Sequence, residues 1–327
     1  MPPYAPIIVF VYNRPEHTRR TLSLLACNYL ASESDVFIFA DGAKTDADES
    51  SVRKVSDVRS VIREDFGFKS VAITESETNK GLAPSVIAGV TDIVNRFGKC
   101  IVVEDDLDTS PYFLQYMNDA LEVYKDTENV ACIHGYVEAH RKKLPETFFL
   151  KGADCWGWGT WKRGWDKFNP NGQELLNEIR HRKCERHFNY DNTYNYVKML
   201  EDQIAGKNSS WAIRWLASAY LNDMYCLYPN ETLVLNVGFD GSGTHCGSMK
   251  TSKRVVVNHR VKVEWQKPEQ CGDAWKEYRK YFKYSFSTNL VYRLLRKLVR
   301  TFIFLTENRE QRTENREQRT ENREQRT

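Results

Sequence analysis

The stretch Lys99-Cys100-Ile101-Val102-Val103-Glu104-Asp105-Asp106-Leu107 runs three β-forming apolar residues straight into three carboxylates, with Pro111 after a short turn. Cys100 to Val103 reads as a buried parallel strand. Such a strand delivers its last residues to the open edge of a sheet, where α/β folds bind ligands. Three adjacent carboxylates repel one another, so a cation is their natural counterpart. An all-oxygen cluster with no His or Cys beside it suits Mg²⁺ or Mn²⁺ better than zinc. The competing reading is a solvated acidic turn, and the sequence on either side decides between them.

Upstream, Ile7 to Tyr12 is strand-like and ends in Asn13-Arg14-Pro15, where the proline can open a helix carrying Leu22, Leu24, Leu25 and Tyr29. Val36 to Ala40 is a second strand ending in Asp41-Gly42, followed by a helix with Val52, Val55, Val58, Val61 and Ile62 at three- and four-residue spacing. Ser70 to Thr74 is a third strand, and Asn79-Lys80-Gly81 leads into a helix bearing Leu82, Val86, Val90, Ile93 and Val94. This βαβαβαβ alternation predicts a mostly parallel sheet covered by helices. Asn13, Arg14, Asp41 and the acidic triplet then all fall at carboxyl ends of strands, in one crevice. That convergence favours a binding site over a solvated turn. No G-x-G-x-x-G follows the first strand and no P-loop motif occurs, which disfavours a dinucleotide dehydrogenase or a P-loop NTPase. A diphosphate bound without a glycine cradle needs a metal and basic side chains, which the triplet, Arg14 and Lys80 can supply.

Val102-Val103-Glu104-Asp105-Asp106-Leu107, with Pro111, Phe113 and Tyr116, resembles the metal-binding segment of GT-A glycosyltransferases, and within them the N-acetylglucosaminyltransferase I-like sugar transferases. Tyr12-Asn13-Arg14, Phe39-Ala40-Asp41-Gly42 and Asn79-Lys80-Gly81 sit where GT-A enzymes of the family 2 type carry nucleotide-binding elements. The resemblance runs over residues 5 to 125 and thins afterwards. It implies a GT-A, Rossmann-like α/β fold with residues 1–125 as the nucleotide-sugar half and 126–265 as the acceptor half. It also implies that Asp106 ligates a Mn²⁺ or Mg²⁺ ion, that Glu104 and Asp105 hold the ribose and the metal's water shell, and that Asp41 faces the uracil or ribose. Arg14 would face the base or diphosphate, with Asn13 and Lys80 beside the nucleotide.

The second half is less explicit. Residues 130–136, 147–150, 226–228 and 232–237 read as strands, and 174–222 as helices ending in Trp211 to Leu221. Between them lies Gly152-Ala153-Asp154-Cys155-Trp156-Gly157-Trp158-Gly159-Thr160-Trp161. Trp156, Trp158 and Trp161 either line the acceptor and donor-sugar pocket, as a Gly/Trp segment does in the resembling family, or form an aromatic core corner. His245, in the loop Gly238-Phe239-Asp240-Gly241-Ser242-Gly243-Thr244-His245, is the candidate to close the donor site on the metal, against the alternative of a solvated histidine. Inverting transfer needs a base for the acceptor hydroxyl. In the resembling enzymes an acid follows a tryptophan at a helix start, but Ser210-Trp211-Ala212-Ile213-Arg214-Trp215 lacks one. Asp154 and Asp240 are the remaining candidates.

Asn289 to Leu305 places Leu290, Val291, Leu294, Leu295, Leu298, Val299 and Phe302 on one half of a helical wheel and Arg293, Arg296, Lys297 and Arg300 on the other. Within the basic segment 266–305 this pattern suits an anionic membrane surface or docking on the protein's own domain. Residues 306–327 repeat Thr-Glu-Asn-Arg-Glu-Gln-Arg three times with no apolar heptad position, which predicts a disordered, charge-balanced tail. C-terminal heptads beside a basic segment resemble, in a different order, the arrangement in some bacterial fucosyltransferases. The net charge of +3 gives no reason to expect nucleic acid. No secretion signal or membrane-spanning run is visible, and the eight cysteines are scattered. The expectation is therefore a cytoplasmic protein at the inner membrane face. It would be a metal-dependent, inverting transferase moving a sugar from a UDP-sugar to a saccharide acceptor, lipid-linked, in cell-surface polysaccharide assembly. A non-catalytic sugar-nucleotide-binding protein is the alternative, and a nucleotidylyltransferase a weaker one, since it needs a Gly- and Lys-rich first loop.

Overall fold

The computed structural model describes residues 4–238 and 255–286. Asp240, His245, the helical wheel at 289–305 and the repeats at 306–327 lie outside the described residues. The first half alternates as expected: β1 (Ile7–Val11), α1 (Pro15–Ala26), β2 (Asp35–Ala40), α2 (Glu49–Val61), β3 (Ser70–Glu75), α3 (Leu82–Phe97) and β4 (Lys99–Glu104). β3, β2, β1 and β4 lie side by side and all parallel. Pro15 opens α1 with its φ already helical, and Gly98, with φ near 78°, closes α3 in the left-handed turn that feeds β4. β1 and β4 are buried on both faces because α1 and α2 cover one side and α3 the other. Ile7, Val9, Ile101 and Val103 enter the first core, while Ile8, Phe10, Cys100 and Val102 enter the second.

After β4 come β5 (Leu107–Thr109), α4 (Phe113–Val123), β6 (Val130–His134), β7 (Thr147–Lys151), β8 (Trp158–Trp161), α5 (Lys162–Trp165), α6 (Gly172–His181), α7 (Glu185–Phe188), α8 (Tyr196–Ile204), α9 (Trp211–Leu221), β9 (Tyr225–Pro229), β10 (Val234–Asn236) and α10 (Gly272–Phe286). The sheet continues as one eight-stranded layer in the order β3-β2-β1-β4-β8-β6-β9-β7. β8 is antiparallel to both β4 and β6, so it joins the two halves. β5 and β10 form a separate antiparallel ribbon. The result is the mixed, mostly parallel α/β architecture that the alternation predicts.

β8 corrects the reading of the Gly/Trp segment as a pocket wall. Trp158 is fully buried, its ring among those of Trp211, Trp165 and Trp215 at 5.5, 5.8 and 6.0 Å. Trp161 is also buried, on the opposite face, and its Nε1 donates to the Leu121 carbonyl at 3.2 Å. Strand alternation sends these two side chains into the two cores. Of the three, only Trp156, ahead of the strand, is half-buried. The seven described cysteines are free thiols, and among the described residues no helix is long and apolar enough to cross a membrane.

Candidate active site

Strand register builds the site. Phe10 pairs with Glu104 and Val11 with Ala40, so the residues that follow β1, β2 and β4 emerge together at one sheet edge. Asp105 and Asp106 are each 5% exposed there. Arg14, at the start of α1, reaches across. One of its terminal nitrogens, Nη2, donates to Asp105 Oδ1 and, at 3.0 Å, to Asp106 Oδ2. α1 is fixed to the same turn by Thr21 Oγ1 donating to the Asp105 carbonyl at 3.0 Å. A two-point pair from Arg20 to Asp108, at 2.7 and 2.5 Å, adds a second tie. Arg14 is thus a resident counter-cation of the acidic cluster, a partner that sequence reading had assigned to the nucleotide.

The cluster remains short of positive charge. Burial first, then the fields of Asp106 and Asp105, push the Glu104 carboxyl up to about 8, with Arg14 opposing. Asp105 is likewise raised, chiefly by burial. Asp105 Oδ2, Asp106 Oδ1 and Arg14 Nη1 are buried with no hydrogen-bond partner. Orphaned hard oxygens suit a divalent ion that completes its shell with water and phosphate oxygens, so the donor chemistry fits Mn²⁺ or Mg²⁺. Among the described residues no group of three or more His, Cys, Asp or Glu side chains could hold a metal alone. Of the described atoms, Asp106 Oδ1 would be the foremost ligand.

A ribbon lies over this turn. Val237 N donates to the Asp106 carbonyl at 2.8 Å, and Gly238 presses so closely that a Cβ there would sit 2.2 Å from Asp106 Oδ2 and 3.0 Å from Arg14 Nη1. Only a residue without a side chain allows that approach.

Asp41 has a different part from the one expected. Its Oδ1 accepts from Gly42 N at 2.9 Å and Lys80 N at 2.8 Å; its Oδ2 accepts from Asn79 Nδ2 at 3.0 Å and Gly81 N at 2.8 Å. These four donors fill the four acceptor positions of a carboxylate. Asp41 therefore holds the Asn79–Gly81 turn against the end of β2, with no oxygen left over for a base or ribose. Asn13 lies half-buried in the turn after β1, and the Lys80 side chain is exposed on the turn that Asp41 holds.

On the far side of β4, Asp154 is 39% exposed at the side chain. Its Oδ2 accepts from the Tyr228 hydroxyl at 3.2 Å and its Oδ1 from Cys155 N at 2.9 Å. Buried His134, the last residue of β6, lies 3.7 Å from Asp154 Oδ1 and accepts from Trp156 N at 3.0 Å. Burial lowers His134 against the pull of Asp154, keeping the ring neutral. Glu138 follows, its Oε2 taking the Tyr136 hydroxyl at 3.1 Å, and Tyr136 packs edge-on against Trp156 at 4.8 Å. Burial, then the fields of Asp154 and Glu104, raise the Cys155 thiol. Sequence reading missed His134, Glu138 and Tyr228. The one available signal was their place at or just beyond a strand end.

A family model described as the GNT-I family matches residues 1–171. That span runs from β1 through α5 and contains Arg14, Asp41, the acidic triplet and Asp154. No curated protein matches the chain. Among solved structures, the crystal structure of UDP-glucose pyrophosphorylase complexed with UDP-glucose is similar, at 11% identity and a TM-score of 0.33, covering 69% of this chain and 90% of that one.

Proposed function

The chain belongs to the GNT-I family and is a nucleotide-sugar glycosyltransferase, and from that premise we propose that it is metal-dependent and inverting, uses a UDP-sugar, and glycosylates a lipid-linked saccharide in cell-surface polysaccharide assembly. The observation that carries the donor side is the pair of partnerless oxygens on Asp105 and Asp106 at the end of β4. Bound at Asp106, a divalent ion supplies charge stabilisation to the UDP leaving group. Arg14, with Nη1 still free to donate, shares that task and holds the diphosphate. The turn held by Asp41 shapes the nucleoside end, with Asn13 and Lys80 at its margin.

In the transfer, the acceptor hydroxyl oxygen bonds to the anomeric carbon as the bond from that carbon to the UDP oxygen breaks, and the hydroxyl proton passes to a carboxylate. Asp154 is our candidate base. Its part-exposed carboxylate, two residues before Trp156, is oriented by Tyr228 and the Cys155 amide. Trp156, Tyr136 and Glu138 would hold the acceptor sugar by ring stacking and hydroxyl contacts. The basic C-terminal segment supports an acceptor met at a membrane surface.

The test is calorimetric titration of UDP with and without Mn²⁺. Asp106→Ala is expected to abolish the Mn²⁺-dependent part of binding while the circular dichroism spectrum persists. Undiminished UDP binding would sink the assignment of Asp106.

A further inference from the structure

The main sheet closes one of its edges and leaves the other open. At β7 the chain covers itself: Cys271 N donates to the Phe149 carbonyl at 2.9 Å, and Gln266 Nε2 to the Thr147 carbonyl at 3.0 Å. At the opposite edge, β3 has β2 as its one neighbour. Ser76 N donates to the Ala40 carbonyl at 2.9 Å, which turns the backbone groups of even-numbered β3 residues toward β2. Val71 and Ile73 therefore direct their N–H and C=O groups outward, where they meet no backbone partner among the described residues.

Proteins ordinarily blunt an exposed strand edge with a proline, a bulge, a charge or a covering segment. The run Ser70-Val71-Ala72-Ile73-Thr74 is uncharged and free of proline, pairs with β2 in unbroken register and leaves Val71 42% exposed. Charges stand only at its two ends, and each is balanced within the chain. Lys69 pairs with Asp35 at 3.0 Å, and Glu75 with Arg63 at 2.8 Å.

This sequence complements itself when reversed. With Ala72 opposite Ala72, an antiparallel copy sets Val71 against Ile73, Ser70 against Thr74 and Lys69 against Glu75. The outward groups of Val71 and Ile73 then form hydrogen-bonded pairs, while Ala72 forms the closer, non-hydrogen-bonded pair on the axis. β-Branched residues facing each other support such a ladder. At each end, Asp35 and Lys69 of one copy meet Glu75 and Arg63 of the other, four charges alternating in sign. A parallel copy in register would set like charges side by side.

We infer that β3 is a dimerisation edge, pairing antiparallel with β3 of a second copy of this chain about a two-fold axis at Ala72. Such a contact is isologous and closed, so it stops at two copies. The carboxyl ends of β1 and β4 in the two copies point in opposite directions, which leaves each donor site outside the contact. A strand of six residues buries less than the roughly 1,200–2,000 Å² of a stable interface. The dimer is therefore weak, with a Kd on the order of 10 µM.

Sedimentation velocity of the full chain, at concentrations bracketing that constant, should show the parent passing from monomer to dimer. Ala72→Lys changes an exposed side chain and sets two like charges face to face on the axis. Val71→Pro removes an outward N–H at a place where an edge strand tolerates proline. Each should weaken dimerisation about tenfold or more. Under diamide, Ala72→Cys should form an intermolecular disulfide, because a non-hydrogen-bonded pair holds its Cα atoms about 4.5 Å apart. Thr74→Cys, whose opposite residue is Ser70, should cross-link no more than the parent. A parent that stays monomeric would overturn the inference. So would a dimer that Ala72→Lys leaves at parental strength, or equal cross-linking of the two cysteine variants.

Discussion

Replacing Arg14 by methionine tests whether the acidic cluster depends on a buried counter-cation. The Arg14 side chain is 17% exposed and its partners Asp105 and Asp106 are 6% and 7%. Their pairing therefore escapes most of the screening that makes surface ion pairs nearly worthless. Methionine keeps the length and apolar packing of the stem but removes the charge, leaving two carboxylates with Glu104 beside them and no cation. Breaking a buried pair by removing one partner costs roughly 3–5 kcal/mol. At about 2–3 °C per kcal/mol for a domain of this size, Arg14→Met should melt on the order of 10 °C lower in EDTA. A divalent ion can replace the missing charge through Asp106 Oδ1 and the oxygen that Arg14 vacates. The variant should therefore recover more than half of its loss in millimolar Mn²⁺ and gain more from Mn²⁺ than the parent does. Melting followed by circular dichroism in EDTA and in Mn²⁺ provides all four values. A loss under about 1 kcal/mol in EDTA would mean the pair behaves as a surface pair and would refute the reasoning. So would a variant that Mn²⁺ does not restore.

Asp41→Asn leaves a side-chain oxygen able to accept from two donors and turns an amide nitrogen toward the N–H groups that Oδ1 or Oδ2 now satisfies. It should cost about 2 kcal/mol in urea unfolding and weaken UDP binding several-fold, and parent-like stability would count against the latch. Gly238→Ala puts a methyl 2.2 Å from Asp106 Oδ2. An overpacking cost of about 1–3 kcal/mol should appear together with weakened Mn²⁺ affinity in an EPR titration, and unchanged affinity would show that the ribbon yields freely. For His134, burial holds the folded pKa below the ordinary imidazole value, so the unfolded chain binds the proton more readily and stability falls as pH drops through about 6.5. The stability advantage of the parent over His134→Gln should therefore shrink from about pH 7 to pH 5.5, and a constant gap in urea titrations would contradict a neutral buried ring.

The first half of the fold was legible because its strands are continuous apolar runs and its helices carry clean three- and four-residue periodicity. Residues such as Ile7 to Val11 and Val86 to Val94 leave little choice of element. β8 was not legible. The four residues Trp-Gly-Thr-Trp satisfy a loop as well as a strand, and only pairing with β4 and β6, distant in sequence, settles the matter. The same limit applied within the site. The sequence placed Arg14, Asp41 and the triplet at one edge, but which of them partner each other is a matter of register and reach. Arg14 turned out to face Asp105 and Asp106, and Asp41 to spend all its acceptors on its own neighbouring turn. Trp158 and Trp161 looked like ligand-facing aromatics because composition cannot distinguish a stacking surface from a core.

The antiparallel strand at the centre of the sheet also decides where this protein could be cut and recombined. A chimera that kept residues 1–125 and replaced the rest with a segment lacking this strand would leave β4 without its neighbour. Cys100 to Val103, at most 1% exposed in the intact sheet, would then form a bare apolar edge open to pairing with another chain. The strand that seals that edge arrives only at Trp158–Trp161, still inside the family-matched span. A crossover placed after α5 keeps β4 and the strand that seals it in one piece.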